Sequence, residues 1–414
     1  MACRSHQLST VLSPRARRVR AVVIRLTWIG CMLTHAVPAA SQDRSMRDVL
    51  SFLVTNQAIP TADLVKDREA AQATLNTLGQ ALLVDLATLP VGTSSSAFTY
   101  RFNPSLGTLE RLAQSFGPFL VDRALTTGSR QLTIGVAYRY ATFTSLDGRD
   151  LRSGTLVTTA NRFRDEPNAF DVETLTLRAA TSTVTVLANV GVTDRIDVSA
   201  AVPIVRFDLS GERVNRYRGE NIVQARASAT KTGLADIALR AKAQIVGERL
   251  SGLATGLELR VPTGSRSDLI GAGRPTIKAS LIGSYGRGPL DIHANAAFAE
   301  GGLSREIDMG AAAAIAATAR VTGSAEVLVR QVQQLGVIGD VVAPHPLITG
   351  VDTIRLSSVG GNATSATAVV GVRWNLTRTL LVNGYVVLPI TDRGLSAKPV
   401  PTVSVDYSIT RWWN

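Results

Sequence analysis

From about Gln131 onward the chain alternates apolar and polar residues through roughly twelve segments of about 10 to 13 residues. A period of two puts successive side chains on opposite faces, so each segment reads as a β-strand with one apolar and one polar face. The connections between segments alternate in length. The short ones are Gly191-Val192-Thr193-Asp194, Gly247-Glu248-Arg249-Leu250-Ser251, Gly286-Arg287-Gly288, Thr318-Ala319-Arg320 and Asn375-Leu376-Thr377-Arg378. The long ones run over 143–171, 211–232, 264–273, 300–306, 334–360 and 391–398. An even number of such strands, with short turns at one end and long loops at the other, is the pattern of a bacterial outer-membrane barrel. The expected fold is all-β, an antiparallel transmembrane β-barrel of about twelve strands, with fourteen as the alternative count. A water-soluble sandwich would not need this alternation, and its strands would run to about 5–6 residues.

The strands are placed at 131–142, 172–190, 195–210, 233–246, 252–263, 274–285, 289–299, 306–317, 320–333, 364–375, 378–390 and 399–410. Lipid must meet apolar side chains, so parity assigns the faces. Ile237, Leu239, Ala241, Ala243 and Ile245 face out in the fourth strand, which turns Asp236, Arg240, Lys242 and Gln244 inward. Leu253, Leu257, Leu259 and Val261 do the same for Glu258 and Arg260 in the fifth, with Arg240 and Glu258 roughly opposite across the hairpin. The third strand changes parity near Pro203, which predicts a β-bulge there. On this reading the lumen is lined by Arg139, Arg178, Arg206, Asp236, Arg240, Lys242, Glu258, Arg260, His293, Asn295, Glu326, Arg330 and Arg373. Their mixed signs argue for internal pairing over a strongly anion-selective pore, and Lys242→Gln is expected to be far better tolerated than Leu239→Arg on the lipid face. Tyr138, Tyr140, Tyr285, Trp374 and Trp413 fall at strand ends, as interfacial girdles require.

Upstream the pattern changes. Leu64, Leu75, Leu78, Leu82 and Leu86 recur at helical spacing, with Thr61 or Asp63 as a cap and Pro90 as a stop. Residues 98–102 and 108–112 flank the turn Asn103-Pro104-Ser105-Leu106-Gly107 and read as a small hairpin. Phe98, Tyr100, Phe102, Phe116 and Phe119 gather aromatics outside the strands, and such a cluster needs something to bury against. Residues 42–125 are therefore expected to form a helical plug, or else a periplasmic extension, ahead of a barrel at 126–414. Residues 1–41 read as a signal peptide: basic Arg15, Arg17, Arg18 and Arg20, an apolar stretch, then Ala39-Ala40-Ser41.

That reading changes the charge and the chemistry. The whole chain carries +12, and removing a segment with six arginines and no acids leaves about +6. Such a surplus, without basic runs interleaved with aromatics, is no nucleic-acid footprint. Cys3 and Cys31 both lie in the signal, so the mature chain has no disulfide framework or thiol chemistry. After the signal only His293 and His345 remain. A lipid-modifying barrel enzyme would need His293 within hydrogen-bond reach of a serine; a lone inward histidine is more simply a lumen hydrogen-bonding residue. Metal-ligand spacings and phosphate loops are absent from the sequence. The expectation is a non-enzyme with no catalytic residues, metal or cofactor.

The stretch Ser115-Phe116-Gly117-Pro118-Phe119 through Arg123-Ala124-Leu125-Thr126, followed by Leu132-Thr133-Ile134-Gly135-Val136, resembles a family of outer-membrane transporters associated with the MetA pathway of phenol degradation. That family is similar to the long-chain fatty-acid and aromatic-hydrocarbon channels. Gly191-Val192-Thr193-Asp194-Arg195-Ile196-Asp197, Val202-Pro203, Gly233-Leu234-Ala235-Asp236-Ile237 and Arg260-Val261-Pro262-Thr263-Gly264 extend the resemblance over about 90–410. It implies a channel for passive uptake of small hydrophobic or aromatic solutes, in the outer membrane of a Gram-negative-type bacterium. The expected partners are outer-membrane lipids, the solute and the barrel-assembly machinery. The alternative is a structural or surface-interaction barrel with a closed lumen.

Overall fold

The structure is a computed structural model. It describes residues 44–58, 68–87, 92–93, 99–103, 105, 108–154, 156–248 and 251–410. The signal region, Thr61, Asp63, Leu64, Pro90, Phe98 and Trp413 lie outside the described residues, as do the side chains of Tyr100 and Phe102. Two helices come first, α1 (Met46–Thr55) and α2 (Arg68–Ala87), then the hairpin β1 (Tyr100–Asn103) and β2 (Thr108–Arg111). The sheet begins with β3 (Gln131–Leu146), β4 (Arg149–Asp150), β5 (Leu156–Phe163), β6 (Asp171–Gly191), β7 (Ile196–Tyr217), β8 (Glu220–Leu234) and β9 (Ile237–Glu248). It continues through β10 (Ser251–Val261), β11 (Thr276–Arg287), β12 (Leu290–Gly301), β13 (Glu306–Ala316), β14 (Val321–Val332), β15 (Val337–Pro344) and β16 (Val351–Val359). The last strands are β17 (Ala363–Thr377), β18 (Leu380–Pro389), β19 (Leu395–Ala397) and β20 (Val400–Thr410).

Twelve of these strands make the wall: β3, β6, β7, β9 to β14, β17, β18 and β20, each antiparallel to the next. The ring closes where β20 returns to β3, from Thr402 opposite Arg139 to Thr410 opposite Gln131. Closure leaves no unpaired edge, the condition for strands to cross hydrocarbon. Ile134, Val136, Leu239, Leu257, Leu281, Phe298, Met309, Val327, Val372 and Val405 stand exposed on its outer face as an apolar belt. Tyr138, Tyr140, Tyr285 and Trp374 are exposed with them. The closed even-stranded wall, its apolar belt and its short turns at one end make this an outer-membrane barrel.

The three longest connections carry strands of their own. β7 and β8 continue as a hairpin to a tight turn at Arg218-Gly219, and beyond the wall β15 pairs with β16 and β16 with β5. The bulge expected at Pro203 is absent. β6 and β7 pair without a register break from Gly191 opposite Asp197 to Asp171 opposite Tyr217. On its other side β7 leaves β9 after Ala201 and takes up β8 from Ile204, so Pro203 falls in a gap where that ladder needs no donor.

What changes at Pro203 is the surroundings. Up to Ile204 the apolar residues Ile196, Val198 and Ile204 face out; beyond it Val205, Phe207 and Leu209 are buried inside, while Arg206 and Asp208 face out and pair at 3.3 Å. The interior becomes apolar there because α1 and α2 fill it. Met46, Val49, Leu50, Leu53 and Val54 line one stripe of α1, and Leu75, Leu78, Leu82 and Leu86 one stripe of α2. Both pack against Phe143, Leu151, Leu156, Leu175, Leu177, Phe207 and Leu209 at the long-loop end. The spacing in the sequence singles out α2 and misses α1. Its start is a capping box: the Ser45 hydroxyl accepts from Asp48 N–H at 3.1 Å, and the Asp48 carboxylate accepts from Ser45 N–H at 3.0 Å.

Candidate functional site in the barrel lumen

Within the belt, inward side chains pair across strands. Arg240 and Glu258 are direct cross-strand partners 2.6 Å apart, and Arg260 shares the same carboxylate at 2.8 Å. Lys278 reaches over β12 to Asp308 at 2.7 Å, where the intervening inward residues are only Ala297 and Ala299. Arg330 meets Glu306 at 2.6 Å and Asp85 of α2 at 3.9 Å. The result is a ladder of compensated charge from β9 to β14.

At the short-turn end residues 115–127 cross the lumen, and their backbone is held by wall side chains. The Glu326 carboxylate accepts from three successive N–H groups: Phe119, Leu120 at 2.9 Å and Val121 at 2.9 Å. Arg373 donates to the Pro118 carbonyl, and its guanidinium lies 4.7 Å over the Phe119 ring, which stacks on Tyr385 at 4.5 Å. Lys242 donates to the carbonyls of Arg123 at 3.2 Å and Leu125 at 2.8 Å and pairs with Asp197 at 3.6 Å. Asp197 in turn accepts from Thr127 N–H at 2.8 Å, Thr322 from Phe116 N–H at 3.0 Å and Ser284 from Ala124 N–H at 2.8 Å. An irregular backbone can lie at membrane depth only if the protein satisfies its polar groups, and these side chains do so. Close approach is also built in: a Cβ at Gly310 would meet Val121 Cγ2 at 3.0 Å, and one at Gly191 would overlap the Gly128 carbonyl.

Above this floor lies a cavity of about 320 Å³, with a smaller one of about 100 Å³ beside it. Gly92, Arg139 and Arg260 border both. The larger chamber has two unlike walls. The ladder Arg240, Glu258, Arg260, Lys278, Asp308 and Arg330 forms one; Leu120, Val121, Ala141, Phe143, Leu328, Val387 and Val400 form the other.

Eleven of the thirteen residues expected in the lumen point inward. Arg139, Arg240, Glu258, Arg260, Asn295 and Arg330 border the larger chamber, and Arg373 and Asp236 the smaller. Asp236 accepts from Gly264 and Ala272 N–H, tying down the loop after β10. Lys242, Glu326 and His293 are buried under the crossing segment. Arg178 and Arg206 are corrections. Both sit on outward positions of β6 and β7, between buried Leu177 and Ala179 and between Val205 and Phe207. They lie above the belt, where outside means water and a polar residue no longer signals the lumen. Lys242 points inward as expected but is buried and paired with Asp197 rather than open to the lumen. The sequence reading also missed Asp85, Ser115 and Thr322. Ser115 donates to Asp291, and only the resemblance motif around Ser115-Phe116-Gly117 marked that segment.

His293 Nδ1 does lie 2.8 Å from Ser284 Oγ, on adjacent strands. A nucleophile–base pair needs the second imidazole nitrogen oriented by an acid or amide. Here Nε2 is buried without a partner among the described residues, and Ser284 already accepts from Ala124. The pair supports the crossing segment. Among the described residues no three of His, Cys, Asp and Glu converge as a metal-binding set.

Residues 153–299 match the family described as "Putative MetA-pathway of phenol degradation". It is the family that the sequence motifs resemble. The match contains the motifs at 191–197, 202–203, 233–237 and 260–264, and ends short of those at 115–136, which lie upstream of it. Curated proteins give no match. Among solved structures, an outer-membrane channel from Pseudomonas putida F1 is similar at 13% identity, covering 67% of this chain and 95% of that one, with a TM-score of 0.43. The transport unit of the autotransporter AIDA-I from Escherichia coli is similar at 11% identity over 68% and 91%, with a TM-score of 0.33. Likeness at this level adds nothing to the topology that the strand pairing already defines.

Proposed function

We propose that the protein is an outer-membrane channel for passive uptake of small apolar or aromatic solutes, without catalysis and without energy coupling. The chamber carries this reading: a cavity with one apolar and one charge-compensated wall, inside a lipid-embedded barrel, suits a solute with an apolar body. Its volume falls within the roughly 300–1,000 Å³ common for small-molecule pockets. Residues 44–127 act as the plug, with the segment 115–127 as the element that must shift for passage. One observation favours a second reading, a closed barrel with a structural or surface role: that segment is hydrogen-bonded to the wall along its whole length.

A reversible lock separates the two. A Cβ at Gly310 would lie 4.0 Å from Val121 Cβ, within the range of a disulfide. Val121→Cys with Gly310→Cys should therefore pin the segment to β13. The expected result is low bilayer conductance for the oxidised protein and recovery on reduction. Equal conductance in both states would remove the plug role, and conductance at the lipid baseline in both states and in the wild type would leave the closed barrel.

A further inference from the structure

The inward charges of the chamber do not all cancel. Six bases border it, Arg139, Arg240, Arg260, Lys278, Arg330 and Arg393, against five acids, Asp85, Asp122, Glu258, Glu306 and Asp308. Arg240 and Arg260 share Glu258, Lys278 takes Asp308, and Arg330 takes Glu306 and Asp85. Asp122 is bound through its backbone by Asn295 and lies in the field of Arg240. Arg393 belongs to the exposed loop after β18. Arg139 is the inward arginine left over. Among the described residues no carboxylate lies within 4.0 Å of it, although it is only partly accessible and borders both cavities.

Its neighbours are not those of a surface cation. On β3 the next inward residues are Ala141 and Phe143, both buried; Leu120 of the plug and Val387 and Val400 complete an apolar surface around the same chamber. On its strand neighbours Arg139 faces Thr183 and Thr402, hydroxyl residues that add no charge. A guanidinium without a counter-charge, set in an apolar wall and accessible from a cavity, is a fork of donors matched to a carboxylate.

We propose that this chamber binds a monocarboxylate with a compact apolar body, the carboxylate on Arg139 and the body against Ala141, Phe143, Leu120 and Val387. The inference deepens the channel reading by naming the solute class, and rests on it only for passage, not for binding. The ladder opposite disfavours a second charge on the ligand, because each of its cations is already compensated. A dicarboxylate would gain nothing there and would meet Glu258, Glu306 and Asp308.

Equilibrium dialysis of the purified full-length protein against benzoate, benzyl alcohol and acetate at pH 7.5 tests this. Benzoate should bind at least about tenfold more tightly than either the neutral ring or the bare carboxylate. Arg139→Gln should cost benzoate about tenfold and leave benzyl alcohol unchanged, with Arg139→Lys in between. Ala141→Trp, which fills the apolar side without touching the charge, should also weaken benzoate. Heat-modifiable gel mobility reports folding for each variant, and Ala141→Trp decides if Arg139→Gln does not assemble. Benzoate bound no better than benzyl alcohol by the wild type, or equally well by a folded variant, overturns the proposal. Benzoate binding without bilayer conductance would sink the channel reading and leave the site standing.

Discussion

The barrel holds one N-terminal segment in two different ways. At the long-loop end α1 and α2 are held by apolar burial, with Leu50, Leu53, Leu78 and Leu82 packed against Phe143, Leu177 and Phe207. At the short-turn end residues 115–127 are held by acidic and basic side chains on their backbone, chiefly Glu326, Lys242, Arg373 and Asp197. Helices satisfy their own backbone and need only an apolar partner, whereas an irregular segment brings unpaired N–H and C=O groups that the wall must meet. The two regions therefore require opposite inner surfaces. That is why the inward face of β7 passes from Asp197 and Ser199 to Val205, Phe207 and Leu209 along one strand.

The largest expected effect breaks the floor. Lys242→Met would leave Asp197 buried without its cation and free the Arg123 and Leu125 carbonyls, which should cost on the order of 3–5 kcal/mol. Leu53→Ala at the mouth removes a fully buried side chain and should cost roughly 2–5 kcal/mol through the cavity it leaves. Denaturant titration of the folded band measures the size, and hydrogen exchange shows the place. Lys242→Met should speed exchange over 115–127 and Leu53→Ala over 46–55, each sparing the other region. Exchange that rises together in both would mean that the segment is one cooperative unit.

The sequence made the wall legible because lipid imposes a strict period of two on it, and cross-strand pairs such as Arg240 and Glu258 follow from parity plus turn position. The mouth was hard to read for the same reason. Once a strand leaves the membrane, apolar residues mark the interior instead of the exterior, so Leu175, Leu177, Val205 and Phe207 invert the pattern and Arg178 and Arg206 look like lumen residues. The floor left little trace. Its grip is side chain to backbone, and a backbone acceptor carries no residue identity, so nothing in the composition of 115–127 names Lys242 or Glu326 as its partners. α1 is short, and its signal is a cap, Ser45 with Asp48, rather than a long apolar repeat.

A smaller effect sharpens the height at which the surroundings invert. Leu239 is on the belt and 44% exposed, so Leu239→Arg should cost roughly 2–4 kcal/mol in a bilayer. Arg206, also outward but above the belt, should accept Arg206→Leu within about 0.5 kcal/mol. Folding titrations in lipid vesicles measure both. Equal costs would place the two residues in the same medium and erase the distinction.

The smallest effect lies where mouth and chamber meet. Desolvation pushes the Asp85 carboxyl up to about 6, against Arg330 and the Leu395 N–H, which favour the ionised form. A raised carboxyl makes its stabilising contribution in full below its ordinary value of 3.8 and loses it as pH rises through about 6. Acidification from pH 7.5 to 5 should therefore neutralise Asp85, tighten the docking of α2, and remove one acid from the chamber. With Arg330 then less compensated, the field in the lumen becomes more positive and anions gain over cations. The reversal potential in a salt gradient should move toward the anion side on acidification. Asp85→Asn should already show the shifted value at pH 7.5 and lose that part of the pH response. A response identical in wild type and Asp85→Asn would assign it to another group and detach α2 from the electrostatics of the chamber.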